Sequence, residues 1–281
     1  MSYIINNPIK TFVFEIVMYL TAVVLSFIAA LRMMEIFTFQ RVEATEISIW
    51  NFIIQFFIMT GIIVFIVYFL KNKKFRSSFF KIFFVLAIAL GNLYFFGLWF
   101  PAAIVFPLIA VLIYLLIKFP SPLVHNLSFI FAIAGMASAV GVQLAPRVVI
   151  LLLLVFSVYD FIAVYKTKHM VKMAEAMVEN RAVVGLVIPQ KTTDFTANLK
   201  KMPIRGNFMI LGGGDVIFPI ILAVSVLNQS VAHFFIIIGF SLLGLLAVFL
   251  IFTTKKDRSP MPALPPIALA CIIGYAVAML I

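Results

Sequence analysis

Two acidic residues stand in apolar surroundings where a charge is costly. Asp215 closes on three glycines in Leu211-Gly212-Gly213-Gly214-Asp215-Val216-Ile217-Phe218-Pro219, and Asp160 sits in Ser157-Val158-Tyr159-Asp160-Phe161. An Asp near the middle of a membrane-spanning helix costs roughly 2.5–3.5 kcal/mol, so such a residue faces a partner or a water-filled cavity and marks function by default. Two carboxylates that meet cannot both ionise cheaply, and the pair then holds one proton over a wide pH range. The ionised member can draw a proton from water while the protonated member donates to a carbonyl oxygen, which is the chemistry of peptide hydrolysis. Such a pair titrates as a unit, and the division of roles between the two acids stays open.

The elements that must position these acids are helices in a bilayer. Of 281 residues, 65% are apolar and only 11% charged, with 32 Phe, which excludes an ordinary soluble domain. The expected fold is an all-α polytopic membrane protein, one intramembrane domain over residues 1–281. At about 20 residues per crossing, nine spans are predicted near 12–33, 49–70, 79–97, 99–118, 127–145, 147–166, 207–228, 231–252 and 262–281. The stretch from Phe12 to Leu31 is too long for a signal-peptide core and reads as the first span. Residues 1–166 carry spans one to six, 167–206 form a cytoplasmic loop, and 207–281 carry spans seven to nine.

The net charge of +11 falls in short segments between apolar runs, not on one folded face, which argues against a nucleic-acid partner. With the N-terminus cytoplasmic and the C-terminus outside, all of the 21 Lys and Arg except Arg32, Arg41 and Arg147 fall on the inner side. Cys271 is the only cysteine, so neither an intrachain disulfide nor a thiolate metal cluster is possible. His125, His169 and His233 are scattered near span ends, form no metal set and are expected at the interface. Glu15, near the inner end of span one, is expected to snorkel to water. In span five, small residues recur four apart at Gly135/Ala139 and Ala137/Gly141, a spacing that lets helices approach closely in lipid and places this span centrally.

Depth makes the two acids a pair. Asp160 lies about six residues before the inner end of span six, roughly 9 Å deep, and Asp215 about eight residues beyond the inner start of span seven, roughly 12 Å deep. Antiparallel neighbours would bring the carboxylates together. Gly212, Gly213 and Gly214 clear side chains from beside Asp215 so that another backbone can come close. Pro219 has no N–H for the Asp215 carbonyl, which loosens the helix at the acid. Tyr159 either orients Asp160 by hydrogen bonding or packs as an ordinary tyrosine. In the inner loop, Met170–Val178 has the spacing of a short amphipathic helix. The β-branched run Ala182–Ile188 before Pro189 reads as a strand with an unpaired edge.

Tyr159-Asp160 in span six, Gly212-Gly213-Gly214-Asp215 in span seven and Pro262-Ala263-Leu264-Pro265 at the start of span nine resemble the YD, GxGD and PAL signatures of the presenilin and signal-peptide-peptidase family of intramembrane aspartyl proteases. The resemblance covers essentially the whole chain, in the form of a compact microbial presenilin-like homologue. It implies that Asp160 and Asp215 are catalytic. It also implies that Pro262, Ala263 and Leu264 shape the site and contact substrate, with Gly212, Gly213, Gly214 and Tyr159 lining it. It further implies no cofactor or metal beyond a catalytic water, transmembrane segments of other proteins as substrates and a multi-pass place in the cell membrane; an obligate partner subunit is not implied, and the oligomeric state stays open. A helical substrate must unwind before water can reach its carbonyls, and the unwound segment could pair with the edge near Val183–Ile188. An ion- or proton-coupled transporter or channel using the same acids is the alternative of a different class, though the repeat often seen in transporters is not evident. A prepilin-type peptidase would share the GxGD element and leave Pro262-Ala263-Leu264 unexplained.

Overall fold

With no water in hydrocarbon to satisfy a bare amide, the chain closes its backbone hydrogen bonds within helices. The structure, a computed structural model, describes residues 8–40, 54, 58, 73–166, 183–198, 208–254 and 261–281. The expected second span at 49–70, apart from residues 54 and 58, lies outside these residues, as do the expected amphipathic helix at Met170–Val178 and His169. Among the described residues five helices come first: α1 (Pro8–Gln40), α2 (Lys73–Phe96), α3 (Ala102–Lys118), α4 (Pro122–Gln143) and α5 (Pro146–Phe161), the last running into a π-helical turn at Ile162–Lys166. Two short strands, β1 (Gly185–Pro189) and β2 (Phe208–Gly212), flank a 3-10 turn at Thr192–Phe195. Then come α6 (Gly213–Ser225), α7 (Val231–Thr254) and α8 (Leu264–Ala278). Among the described residues, four stretches are long and apolar enough to cross a bilayer, namely Pro8–Phe39, Pro122–Gln143, Pro146–Lys166 and Val231–Thr254, and the other apolar helices are shorter.

Local chemistry explains the boundaries. Pro122 and Pro146 open α4 and α5 at positions where the missing N–H would have had no helical partner. Ser121 caps α4, its Oγ accepting from the Val124 N–H at 3.3 Å.

The all-α expectation is corrected by the sheet. β1 and β2 pair antiparallel, with Gly185 opposite Gly212 and Val187 opposite Ile210. The start of the expected seventh span is therefore a strand, and the helix begins only at Gly213. A short apolar run such as Phe208-Met209-Ile210-Leu211 has the same hydropathy as a helix entrance, and periodicity cannot separate the two.

The expected free edge of β1 is also closed. On the side away from β2, the Asn126 amide of α4 behaves as a strand neighbour: its Nδ2 donates to the Val187 carbonyl at 2.6 Å and its Oδ1 accepts from the Val187 N–H at 2.8 Å. One residue earlier, His125 Nε2 lies 2.9 Å from the Gly185 carbonyl oxygen, with its ring stacked between Phe84 and Phe129. His125 is 4% exposed, so the expectation of an interfacial histidine is corrected too. A buried carbonyl in need of a partner draws it inward.

The helix α4 packs against α1, α2, α6 and β1. Small residues make this possible: a Cβ on Gly135 would run into the Gly91 carbonyl oxygen of α2. The helix α1 has its polarity inside out. Val13, Val17, Leu20, Val24, Ile28 and Leu31 form an exposed stripe at three- and four-residue spacing, while Thr11, Glu15, Tyr19 and Ser26 are buried on the opposite face. Such a helix faces lipid outward and spends its polar groups on the protein interior. It runs antiparallel to α7, the rings of Phe12 and Phe249 stacking at 4.3 Å and the Tyr19 and Ser241 hydroxyls meeting at 2.7 Å.

The Asn126 clamp yields a direct test. Replacing Asn126 with Ala leaves the Val187 N–H and C=O buried without partners, an expected loss of roughly 2–4 kcal/mol, read as a lowered midpoint in thermal denaturation of the detergent-solubilised protein.

Candidate active site

Asp160 lies in the last turn of α5 and is 6% exposed. Its Oδ2 accepts a hydrogen bond from the Leu264 backbone N–H at 3.3 Å, while its Oδ1 has no hydrogen-bond partner among the described residues. The position of that donor at a helix start leaves it free to serve the acid. The first four N–H groups of a helix lack partners within the helix. In α8 those positions are Leu264, Pro265, Pro266 and Ile267, so the two prolines remove two of the four donors. The Leu264 N–H faces Asp160 from the positive end of α8, where a carboxylate is favoured. Just past Asp160 the backbone loosens into the π-helical turn Ile162–Lys166, a form that occurs frequently at functional sites.

Asp215 is the third residue of α6 and stands at its positive end, rather than eight residues into a helix. The strand before it advances more than twice as far per residue as a helix, so a helical ruler misjudges its depth. Its carboxyl reaches back to accept from the Gly212 backbone, an arrangement of the capping-box kind. Asp215 and Asp160 are close enough to interact electrostatically. Their helices are held in register by Phe156 and Phe218, whose rings stack at 4.7 Å. Phe156 lies four residues before Asp160 and Phe218 three after Asp215, so each ring shares a helix face with its acid.

The glycines beside Asp215 have distinct duties. A Cβ on Gly212 would stand 2.7 Å from Asp215 Oδ2, so the close neighbour is the acid itself and not another backbone. Gly213 donates its N–H to the Val184 carbonyl at 3.1 Å, and a Cβ there would meet the Phe129 ring at 2.8 Å. At Gly214 a Cβ would find only the Phe218 ring, at an ordinary 3.5 Å. Pro262 and Leu264 are buried, with Ala263 between them part-exposed at the α8 N-cap. Pro219 lies inside α6, so the Asp215 carbonyl is without that helical donor.

Tyr159 departs from the group. It is 59% exposed, and among the described residues it makes no hydrogen bond to Asp160. Adjacent helical positions differ by about 100° around the axis, which turns the phenol outward when the carboxyl points in.

Glu15, expected at the water interface, is instead buried, with Oε2 lacking a hydrogen-bond partner among the described residues and Asp215 within electrostatic reach. The signal that could have found it is its phase: Glu15, Tyr19, Ala22 and Ser26 succeed one another at four-, three- and four-residue steps on one face. Among the described residues, no three His, Cys, Asp or Glu side chains stand in an arrangement that could hold a metal ion.

Comparison with known proteins gives the family and the fold. Residues 11–281 match the family described as signal-peptide peptidase, presenilin aspartyl protease. A solved presenilin family intramembrane aspartate protease in C222 crystals is 24% identical, with a TM-score of 0.58 over 93% of this chain and 94% of that one. A P2 crystal form of such a protease gives 23% identity and a TM-score of 0.59 over 94% and 95%. No curated protein matches the chain. The structural likeness shows a shared fold, and the family match spans nearly all of the sequence. This aspartic endopeptidase belongs to the signal-peptide peptidase and presenilin family of intramembrane aspartyl proteases.

Proposed function

We propose that Asp160 and Asp215 are the catalytic dyad of an endopeptidase that hydrolyses transmembrane segments of other membrane proteins, using one water and no cofactor. The observation that carries this reading is the meeting of three elements: the Asp160 carboxylate, the Leu264 amide bonded to it, and Asp215 within electrostatic reach. The ionised acid takes a proton from water as the water oxygen bonds to the scissile carbonyl carbon. The other acid passes its proton to the carbonyl oxygen. As the tetrahedral intermediate collapses, the C–N bond breaks and the nitrogen leaves with a proton from the pair. The donors around the acids are main-chain groups already in place, so little reorganisation accompanies the charge movement.

The helix ends set the access. Nine crossings, with the N-terminus cytoplasmic and the C-terminus outside the cell membrane, accord with the distribution of Lys and Arg. In this presenilin-like orientation the substrate has its own N-terminus outside. Pro262, Ala263 and Leu264 shape the substrate side of Asp160, and Gly212 and Gly213 keep Asp215 in place. Tyr159, turned outward on α5, contacts substrate or lipid rather than orienting Asp160.

An unwound substrate can pair with β2 rather than with β1. Val187 turns its N–H and C=O to Asn126, away from β2. Ile210, directly opposite in the ladder, belongs to the same non-bonded pair and so turns its own groups to the outer edge of β2. That edge leads through Gly212 to Asp215, which makes it a template for strand addition beside the acids.

Three outcomes test the reading in reconstituted vesicles with a reporter transmembrane substrate. Asp160→Asn and Asp215→Asn should each abolish cleavage while leaving the thermal midpoint near that of wild type, and undiminished cleavage in either defeats the dyad. Gly212→Ala should lower turnover on the order of 10–100-fold through displacement of the Asp215 carboxyl, whereas Gly214→Ala should stay within about twofold because its Cβ meets only an ordinary contact. Ile210→Pro removes one outward N–H without a ladder bond; a drop of about tenfold in cleavage at unchanged stability is expected, and normal turnover would remove strand addition.

A further inference from the structure

The site has a third acid that the proposed dyad leaves unused. Glu15 is 3% exposed, and its Oε2 has no hydrogen-bond partner among the described residues. Its helix packs against α6, which carries Asp215, and against β1, the strand paired with the one that leads into Asp215. The carboxyl interacts electrostatically with Asp215, which in turn interacts with Asp160. It cannot swing out to water, because the same face of α1 is tied down one turn further on. The Met18 thioether accepts from Asn126 Nδ2 at 3.2 Å, and the Tyr19 hydroxyl meets Ser241 at 2.7 Å.

Resting on the dyad reading, we propose that Glu15 is a positioning residue for it: a third ionisable carboxyl, fixed by α1 beside Asp215, that sets the pH range over which Asp160 and Asp215 share one proton. A buried carboxyl with a bare oxygen is a standing cost to the fold. Like charges close together in a buried site cannot all ionise, so the charge state of each acid constrains the next.

The neighbouring elements supply few competing charges. On α4 the titratable group is His125, engaged with the Gly185 carbonyl. The strand β1 carries no titratable side chain. Along α7, Glu15 lies between the levels of Phe249 and Ser241, a stretch without titratable residues, and His233 is far along the helix next to Phe234, which packs on Phe27. On α8, Cys271 lies beside Tyr19. The 3-10 turn brings Asp194 and Lys191 to the end where Phe195 meets Phe14 edge-on at 5.2 Å. On α1 itself, the Lys10 ammonium lies 5.7 Å over the Phe14 ring. Among the described residues the recorded ion pair is Arg32 with Glu35, so none reaches Glu15. Of these groups, only Asp215 is both buried with Glu15 and part of the reaction.

The test is the pH profile of cleavage by the full-length protein in vesicles, compared among wild type, Glu15→Gln and Glu15→Asp. With one repelling carboxyl removed, the last proton of the dyad leaves more readily, so the alkaline limb of Glu15→Gln is expected to move toward acid by about one pH unit. Glu15→Asp should return most of that shift. A Glu15→Gln profile superimposable on wild type overturns the proposal. Should the Gln variant fail to fold, infrared titration decides: the carboxyl band assigned by difference against Glu15→Asp should titrate at a different pH in Asp215→Asn than in wild type, and identical titrations overturn it. If both Asp→Asn variants are inactive while the Glu15→Gln profile is unmoved, the dyad stands and Glu15 alone is dismissed. Cleavage retained in the Asp→Asn variants instead removes the dyad itself.

Discussion

One main-chain hydrogen bond organises this molecule: the Leu264 amide at the start of α8, given to the buried Asp160 carboxylate at the end of α5. In a bilayer interior a charge needs donors aimed at it, and solvent is not there to supply them. The double proline after Leu264 keeps the helix end rigid and thins the set of competing donors. The Phe156–Phe218 stack then fixes α5 against α6, and Asp215 arrives at the same place from the other side. Each acid is thus met by a helix end, Asp160 by that of α8 and Asp215 by that of its own α6.

The sheet is what allows α6 to begin where it does. An unpaired strand edge is costly away from water, and β1 has both of its edges met, by β2 on one side and by the Asn126 amide on the other. The helix α4 is therefore more than a packing core. It carries the small residues that let α2 approach and also the two polar side chains, His125 and Asn126, that hold the sheet in position. The backbone crosses from extended to helical at Gly212, one residue before α6 and three before the acid.

The parts of the site that are legible in sequence are those with a high free-energy cost. An Asp in an apolar run, a Pro at a helix start and small residues at four-residue spacing each stand out because their alternatives are cheap. The strand β2 does not stand out, because Phe208 to Leu211 are as apolar as any helix entrance and five residues are too few for periodicity. Asn126 and His125 are hidden for a different reason: their partners are backbone groups about 60 residues away, which carry no side-chain signature. Glu15 misleads through its closeness to a span end; the phase of its helix face, not its depth, decides where it points.

The bond to Leu264 has a consequence for how such a protein can change. Its donor is an amide, so every side chain except proline supplies it equally well. The Leu264 side chain is itself buried, so what can stand at position 264 is limited by packing and not by the bond to Asp160. Packing and charge stabilisation are thereby separated along a single peptide unit: a change of side chain alters what surrounds the bond and leaves the donor to Asp160 in place.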